Sequence, residues 1–133
     1  MSSPHRSLAW FLRAMGCLDM LALTAVVMPR QALALAHAWA GLGTMPEQPI
    51  VGYLTRSASA LYVLHGAFVV LISFDVTRYA VLIRFLALAS LLHGAVLFGI
   101  DVAEGMPPLW RSTEGPLFAA SGIVILWLQR RRM

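Results

Sequence analysis

Four long stretches that are nearly free of charged residues constrain what this chain can fold into. They cover about residues 8–28, 50–74, 79–100 and 110–129 of the 133-residue chain. A helix rises 1.5 Å per residue, so roughly 20 apolar residues cross a hydrocarbon core of roughly 30 Å. Hydrocarbon offers backbone groups no hydrogen-bond partner, and such stretches must therefore be helical. The sequence predicts an all-α integral membrane protein, a four-helix bundle with four transmembrane spans.

The composition agrees with a membrane setting. Hydrophobic residues make up 59% of the chain and charged residues only 12%, whereas a soluble domain carries about a quarter charged residues. A chain of this length usually forms one domain. We therefore expect residues 1–133 to form a single transmembrane domain.

The connections between the spans differ in length. Residues 31–43 are rich in Ala and Leu but too short to span, which predicts a short interfacial helix after span one, with Trp39 at headgroup level. Residues 75–78 form a very short turn, which predicts antiparallel neighbours on either side. Residues 101–115 are predicted to contain a long connection, and span four is expected to begin near Leu109 within this stretch. Span four should take Pro116 into its helix or break locally there.

The arginines predict an orientation, and lysine is absent. The side that includes the N-terminus holds seven arginines and the opposite side three: Arg6, Arg13, Arg78, Arg84, Arg130, Arg131 and Arg132 against Arg30, Arg56 and Arg111. The positive-inside bias then places both termini in the cytoplasm and the chain in the cell membrane. Because the arginines flank apolar spans, we expect the lipid bilayer, and no nucleic acid, as their partner. The N-terminal stretch is expected to be retained, since Asp19 interrupts it.

Catalytic motifs are not recognisable in the sequence. Cys17 is the only cysteine, which excludes an intramolecular disulfide, a CxxC redox pair and a thiolate zinc cage. No serine, threonine or cysteine has a base at a recognisable spacing. The sequence therefore favours a protein that is not an enzyme, but it does not decide whether the protein has a catalytic activity.

A set of polar residues inside the spans is the main functional feature. Ionisable side chains are costly at the membrane centre, by roughly 2.5–3.5 kcal/mol on insertion scales for the charged types. Counting 1.5 Å per residue from the cytoplasmic span ends places five of them at depths of roughly 13–21 Å. The sequence thus predicts a buried polar or ligand layer made of Asp19, Tyr62, His65, His93 and Glu114.

This layer has several interpretations. Its two imidazoles and two carboxylates could bind a divalent metal or relay protons, and the histidines could hold a haem b. The alternative is a purely structural role, in which these side chains form hydrogen bonds between packed helices. In each case Asp19 should meet a polar side chain of another helix, and His65 should approach His93.

The favoured hypothesis for function is a small polytopic membrane protein without catalysis. It would be a subunit or accessory of a membrane complex, with other membrane subunits or a second copy of itself as partners. The alternative is a haem-, metal- or proton-handling membrane protein that uses His65, His93, Asp19 and Glu114.

Overall fold

A computed structural model describes residues 3–131 of the chain, and most of these residues are helical. Within that range there are six α-helices and no β-strand, which confirms the all-α class. The helices are α1 (Ser3–Met20), α2 (Leu23–Val27), α3 (Arg30–His37), α4 (Pro49–Ser73), α5 (Ala80–Ala103) and α6 (Pro108–Arg130).

Three helical segments in the described part of the chain are long and apolar enough to cross a membrane. They are His5–Val27 with 23 residues, Pro49–Ser73 with 25 and Ala80–Ala103 with 24. Each corresponds to one of the first three predicted spans. The fourth predicted span coincides with α6, which is 23 residues long and contains Pro116 within the helix. α6 is not among the three, and its first turns carry Arg111 and Glu114.

The first apolar segment is one helix with a tightened turn. The amides of Leu21, Ala22 and Thr24 donate to carbonyls three residues earlier, at 3.1 Å each. This is 3₁₀ geometry, which interrupts the regular α pattern between α1 and α2. The segment ends at Met28, whose extended ψ of 149° is typical of a residue before proline.

The short helix predicted after this segment is present as α3, continued by a π-helical turn at Ala38–Leu42. It ends where Gly41 and Gly43 have φ of 82° and 76°, a left-handed conformation that only glycine adopts easily. Trp39 is 93% exposed.

The predicted long connection at residues 101–115 is wrong. Helix α5 continues to Ala103 and α6 begins at Pro108, so only four residues connect them. Gly105 has φ 67°, and the Met106 amide donates to the Asp101 carbonyl at 2.9 Å. This pattern is a Schellman motif, which ends a helix abruptly. The acidic residues that indicated a loop lie instead on helices or at their ends.

The chain divides into two compact units. One comprises Leu12–Leu71, and the other comprises Met1–Phe11 with Ile72–Met133. They are called here the Leu12–Leu71 unit and the α5–α6 unit. Buried apolar side chains of α5 and α6 form much of the second unit's core, among them Ile83, Leu86, Ala87, Ile125 and Leu128.

Helices α5 and α6 meet along a seam of small residues. A Cβ atom added to Gly94 would lie 2.5 Å from the Gly115 carbonyl oxygen, and one added to Gly122 would lie 2.5 Å from the Ala87 oxygen. Real Cβ atoms are not found at such distances, so the two backbones are in direct contact. Close backbone approach at small residues is a common way for helices to pack in membranes.

Candidate functional site

The sequence predicts a polar partner on another helix for Asp19, and the structure confirms one. Asp19 lies in the last turn of α1, and its Oδ2 atom is 2.8 Å from Nδ1 of His65 on α4. The Asp19 side chain is 15% exposed and that of His65 is 33% exposed. Both belong to the Leu12–Leu71 unit.

A glycine contact positions this pair. Gly16 lies one turn before Asp19, and Gly66 directly follows His65. A Cβ added to Gly16 would lie 2.6 Å from the Gly66 carbonyl oxygen, and one added to Gly66 would lie 3.0 Å from Cβ of Asp19. The helices α1 and α4 therefore touch through their backbones, which brings the carboxylate within hydrogen-bond distance of the imidazole.

The pair has a defined chemistry. When the carboxylate of Asp19 is ionised it can only accept, so the His65 imidazole donates from Nδ1–H. The Nε2 atom is then left for another group, and nothing else in residues 3–131 forms a hydrogen bond with this ring. Metal-binding histidines have a related arrangement, with the second ring nitrogen donating to a carboxylate, a backbone carbonyl or water. Neutral Nε2 can also accept a proton.

His93 is exposed at the surface of the chain, so its place in a buried layer stays a prediction. Its ring contacts Phe118 edge-on, with the ring centroids 5.0 Å apart and the planes at 85°. Residue counting estimates the height of a side chain but not its direction. His93 directly precedes Gly94 of the seam, and one residue corresponds to a rotation of about 100° around the helix. Its ring therefore lies beside the α5–α6 seam.

The remaining members of the predicted layer are half-buried. Glu114 accepts a hydrogen bond from Nε1 of Trp110, one helical turn earlier, at 2.7 Å. Tyr62 lies on α4. Asp19, Tyr62 and His65 belong to one unit, whereas His93 and Glu114 belong to the other. That all five share one layer stays a prediction, as does the approach of His65 to His93.

A protein metal site usually needs three or more ligand side chains close together. Among the described residues, no group of three or more His, Cys, Asp or Glu side chains is placed to hold a metal ion. The Asp19–His65 pair supplies two such side chains.

Two arginines have structural contacts that sequence analysis missed. The Arg56 guanidinium, on α4, donates through Nη1 to the Val26 carbonyl and through Nη2 to the Met28 carbonyl at 2.9 Å. Arg30 Nη2 donates to the carbonyls of Pro46 at 3.1 Å and Glu47 at 2.8 Å. Arg56 thus caps the end of the first apolar segment. The signal in the sequence was a helix that ends at a proline and leaves its last carbonyls without donors.

Asp101 also departs from the sequence prediction, which places it in a connection between helices. It is only 3% exposed, and its Oδ2 atom has no hydrogen-bond partner within the part of the chain that the structure describes. It lies seven residues after Gly94 and so on the same face of α5. The seven-residue spacing from Gly94 is the sequence signal that could have placed Asp101 on the buried face of α5.

Comparison with known proteins gives no assignment: no family model matches, and no curated protein or solved structure matches significantly.

Proposed function

We propose that the chain is an integral membrane protein that spans the cell membrane four times and serves as a non-catalytic subunit or accessory of a membrane complex. The support for the fourth span is the length and surface of α6. Its 23 residues extend roughly 34 Å at 1.5 Å per residue, enough for a hydrocarbon core of roughly 30 Å. Large apolar side chains are exposed along it, including Leu109, Leu117, Ile123 and Trp127.

The exposed surfaces of the other helices support the membrane setting in the same way. In the Leu12–Leu71 unit, Leu18 is 68% exposed and Leu61 is 66% exposed. In the α5–α6 unit, Val81 is 81% exposed and Phe85 is 70% exposed. Water-soluble monomers rarely expose large continuous apolar patches. In a lipid environment these apolar side chains would contact acyl chains, so the cost of exposing them to water would not arise.

The proposed orientation, with both termini in the cytoplasm, gains support from the arginine contacts. Seven arginines lie on the proposed cytoplasmic side and three on the other. Two of those three, Arg30 and Arg56, donate to backbone carbonyls. The positions of Arg30 and Arg56 therefore have a local structural cause. Of the three arginines on the opposite side, only Arg111 still argues against the proposed orientation.

Reporter fusions test the topology. A phosphatase reporter, active only outside the cytoplasm, should be inactive at both termini and active when inserted between Glu104 and Pro107. A cytoplasm-active fluorescent reporter should give the opposite pattern. Phosphatase activity at either terminus would contradict the orientation, and activity at one terminus only would contradict four spans.

The exposure of His93 is the single observation that supports the proposed role as a subunit of a complex. It lies in the middle of α5, an apolar segment of 24 residues, and is exposed. Its ring contacts Phe118, but within residues 3–131 its nitrogens form no hydrogen bond. An unpaired polar group in an apolar setting costs about 1–3 kcal/mol in proteins. A polar side chain of a second chain would remove this cost, because polar residues hold helices together across membranes.

Photo-crosslinking in the native membrane tests this proposal. A photoreactive phenylalanine analogue at position 93 should give a discrete protein adduct, either with another subunit or with a second copy. The matched control is position 92, because Leu92 is 69% exposed and points in another direction around α5. Discrete adducts at neither position, or equally at both, would count against a specific protein contact at His93.

A second candidate function rests on His65. Its Nδ1 is bonded to Asp19, which leaves Nε2 for haem, a metal ion or a proton. An absorption spectrum and a metal analysis of the purified protein test the first two. A haem band or a bound metal that disappears in His65→Ala, and persists in His37→Ala, would establish this function in place of the first.

A further inference from the structure

A groove lies between the first turns of α5 and the last turns of α6, within the α5–α6 unit. It has a volume of about 390 Å³. Its walls combine apolar side chains with two guanidinium groups and an amide, which come from Val81, Arg84, Leu88, Leu126, Gln129 and Arg130. No lining residue is acidic. The groove is therefore amphipathic, with a positively charged polar part.

The arginines near this end of the unit fall into two kinds. The guanidinium carbon of Arg131 lies 3.6 Å from the Trp127 ring centroid, and that of Arg78 lies 5.7 Å from the centroid of Tyr79. These two stack on aromatic rings. Arg84 and Arg130 line the groove and are exposed, and no acceptor in residues 3–131 bonds to either guanidinium.

Gln129 fixes the polar part of the groove. Its Nε2 atom donates to the Ala80 carbonyl at 3.0 Å and so connects the last turns of α6 to the start of α5. Arg84 follows Ala80 by four residues and lies roughly 6 Å along the helix from it. The apolar residue Leu88 lies one turn further along α5. Charge at one end and apolar walls beyond it form an order that matches a phospholipid.

We propose that this groove binds one anionic phospholipid, with its phosphate between Arg84 and Arg130 and an acyl chain against Leu88 and Leu126. Guanidinium groups bind phosphate through paired, charge-assisted hydrogen bonds. Basic pockets between helices at the cytoplasmic side of membranes bind anionic headgroups. The inference rests on the proposed membrane setting and orientation, which place this end of α5 and α6 at the cytoplasmic leaflet.

Native mass spectrometry of the detergent-solubilised protein tests the site. Phosphatidylglycerol and phosphatidylcholine with identical acyl chains serve as probes, and inorganic phosphate serves as a third. We expect one phosphatidylglycerol molecule to be retained in preference to phosphatidylcholine, with no retention of inorganic phosphate. The double substitution Arg84→Gln with Arg130→Gln should weaken this retention about tenfold or more, given the contribution of each arginine near an anionic headgroup.

The matched control is Arg78→Gln with Arg131→Gln. It removes the same charge from the same unit but affects only the two arginines that stack on rings, so retention should change by less than about twofold. Equal losses in the two double variants would overturn the groove and indicate general attraction. Equal retention of the two lipids by the unsubstituted protein would also overturn it.

A second variant tests the apolar part without changing the charge. Leu126→Trp should fill the groove and weaken phosphatidylglycerol retention, while circular dichroism shows unchanged helicity. Unchanged retention in this folded variant would refute acyl-chain binding there. Carbonate extraction of membranes separates the two proposals. If the protein is extracted, the membrane setting fails; if it stays in the membrane and shows no lipid preference, only the lipid site fails.

Discussion

The helix pair α1–α4 and the helix pair α5–α6 use glycine contacts in different surroundings. In α5–α6 the contacts extend along a seam from Gly94 with Gly115 to Gly122 with Ala87. In α1–α4 the contact of Gly16 with Gly66 lies beside the Asp19–His65 hydrogen bond. Extended backbone contact fixes two helices by shape alone. In α1–α4 the polar pair beside the glycine contact adds direction, because a hydrogen bond depends on angle as well as on distance.

The largest expected effect comes from breaking the seam. Gly94→Val places a branched side chain where one Cβ atom would already lie 2.5 Å from the Gly115 oxygen and 2.7 Å from the Ala119 nitrogen. We expect the free energy of unfolding to fall by about 3 kcal/mol, the upper part of the range for overpacking. Circular dichroism during titration of the detergent-solubilised protein with dodecyl sulfate measures the change.

Gly99→Val is the matched control on the same helix. A Cβ added to Gly99 would have no atom within 4 Å. Its free energy of unfolding should change by less than about 1 kcal/mol, because only helix propensity is altered. If the two variants unfold alike, the seam does not hold α5 to α6.

A smaller effect is expected from removing the cap on the other pair. Arg56→Gln removes the charged donor that reaches the Val26 and Met28 carbonyls, and a glutamine amide cannot reproduce both bonds. We expect a loss of about 2 kcal/mol in the free energy of unfolding. Hydrogen exchange should increase at the amides of α2 and remain unchanged in α6.

Arg111→Gln serves as the control for this loss, because the guanidinium of Arg111 donates to no backbone carbonyl in residues 3–131. It should leave exchange in α2 unchanged. Faster exchange throughout the chain in Arg56→Gln would show that the cap acts on the whole protein and not on one helix end.

The smallest effect concerns the polar pair itself. A double-mutant cycle of Asp19→Ala and His65→Ala should give a coupling energy of about 0.6 kcal/mol and no more than about 1.7 kcal/mol, the average and the maximum measured for hydrogen bonds between membrane helices. The same cycle with His37→Ala should give none, since His37 bonds the Gly43 carbonyl instead. Equal coupling for the two histidines would remove the argument that the pair orients α1 on α4.

Much of the fold could be predicted because prolines and apolar length mark helix ends clearly. Pro29, Pro49 and Pro108 lie at boundaries, and the observed helices begin or end within a few residues of the predicted spans. The prediction of a long connection at residues 101–115 was wrong for a specific reason. Acidic residues indicated solvent, whereas Gly105, which ends α5, was the better signal.

The site was harder to predict because residue counting gives the depth of a side chain but not its direction around the helix. Asp19 and His65 could be paired by similar depth, and they do pair. His93 had a similar depth but is exposed. Arg56 was interpreted only as a topological charge, since its partners are carbonyls 28 and 30 residues earlier in the chain. Pro29 marks carbonyls that need donors, but the sequence does not indicate which side chain supplies them.

The cap made by Arg56 also has a consequence for synthesis. The ribosome completes residues 1–28 well before it adds residue 56, so the carbonyls of Val26 and Met28 emerge without their donor. In the proposed membrane setting we expect water to satisfy these carbonyls until then, which would keep the end of α2 at an aqueous boundary. When Arg56 is added, we expect its guanidinium to replace that water and to join the end of α2 to α4. The nascent chain thus completes its first segment by means of its second.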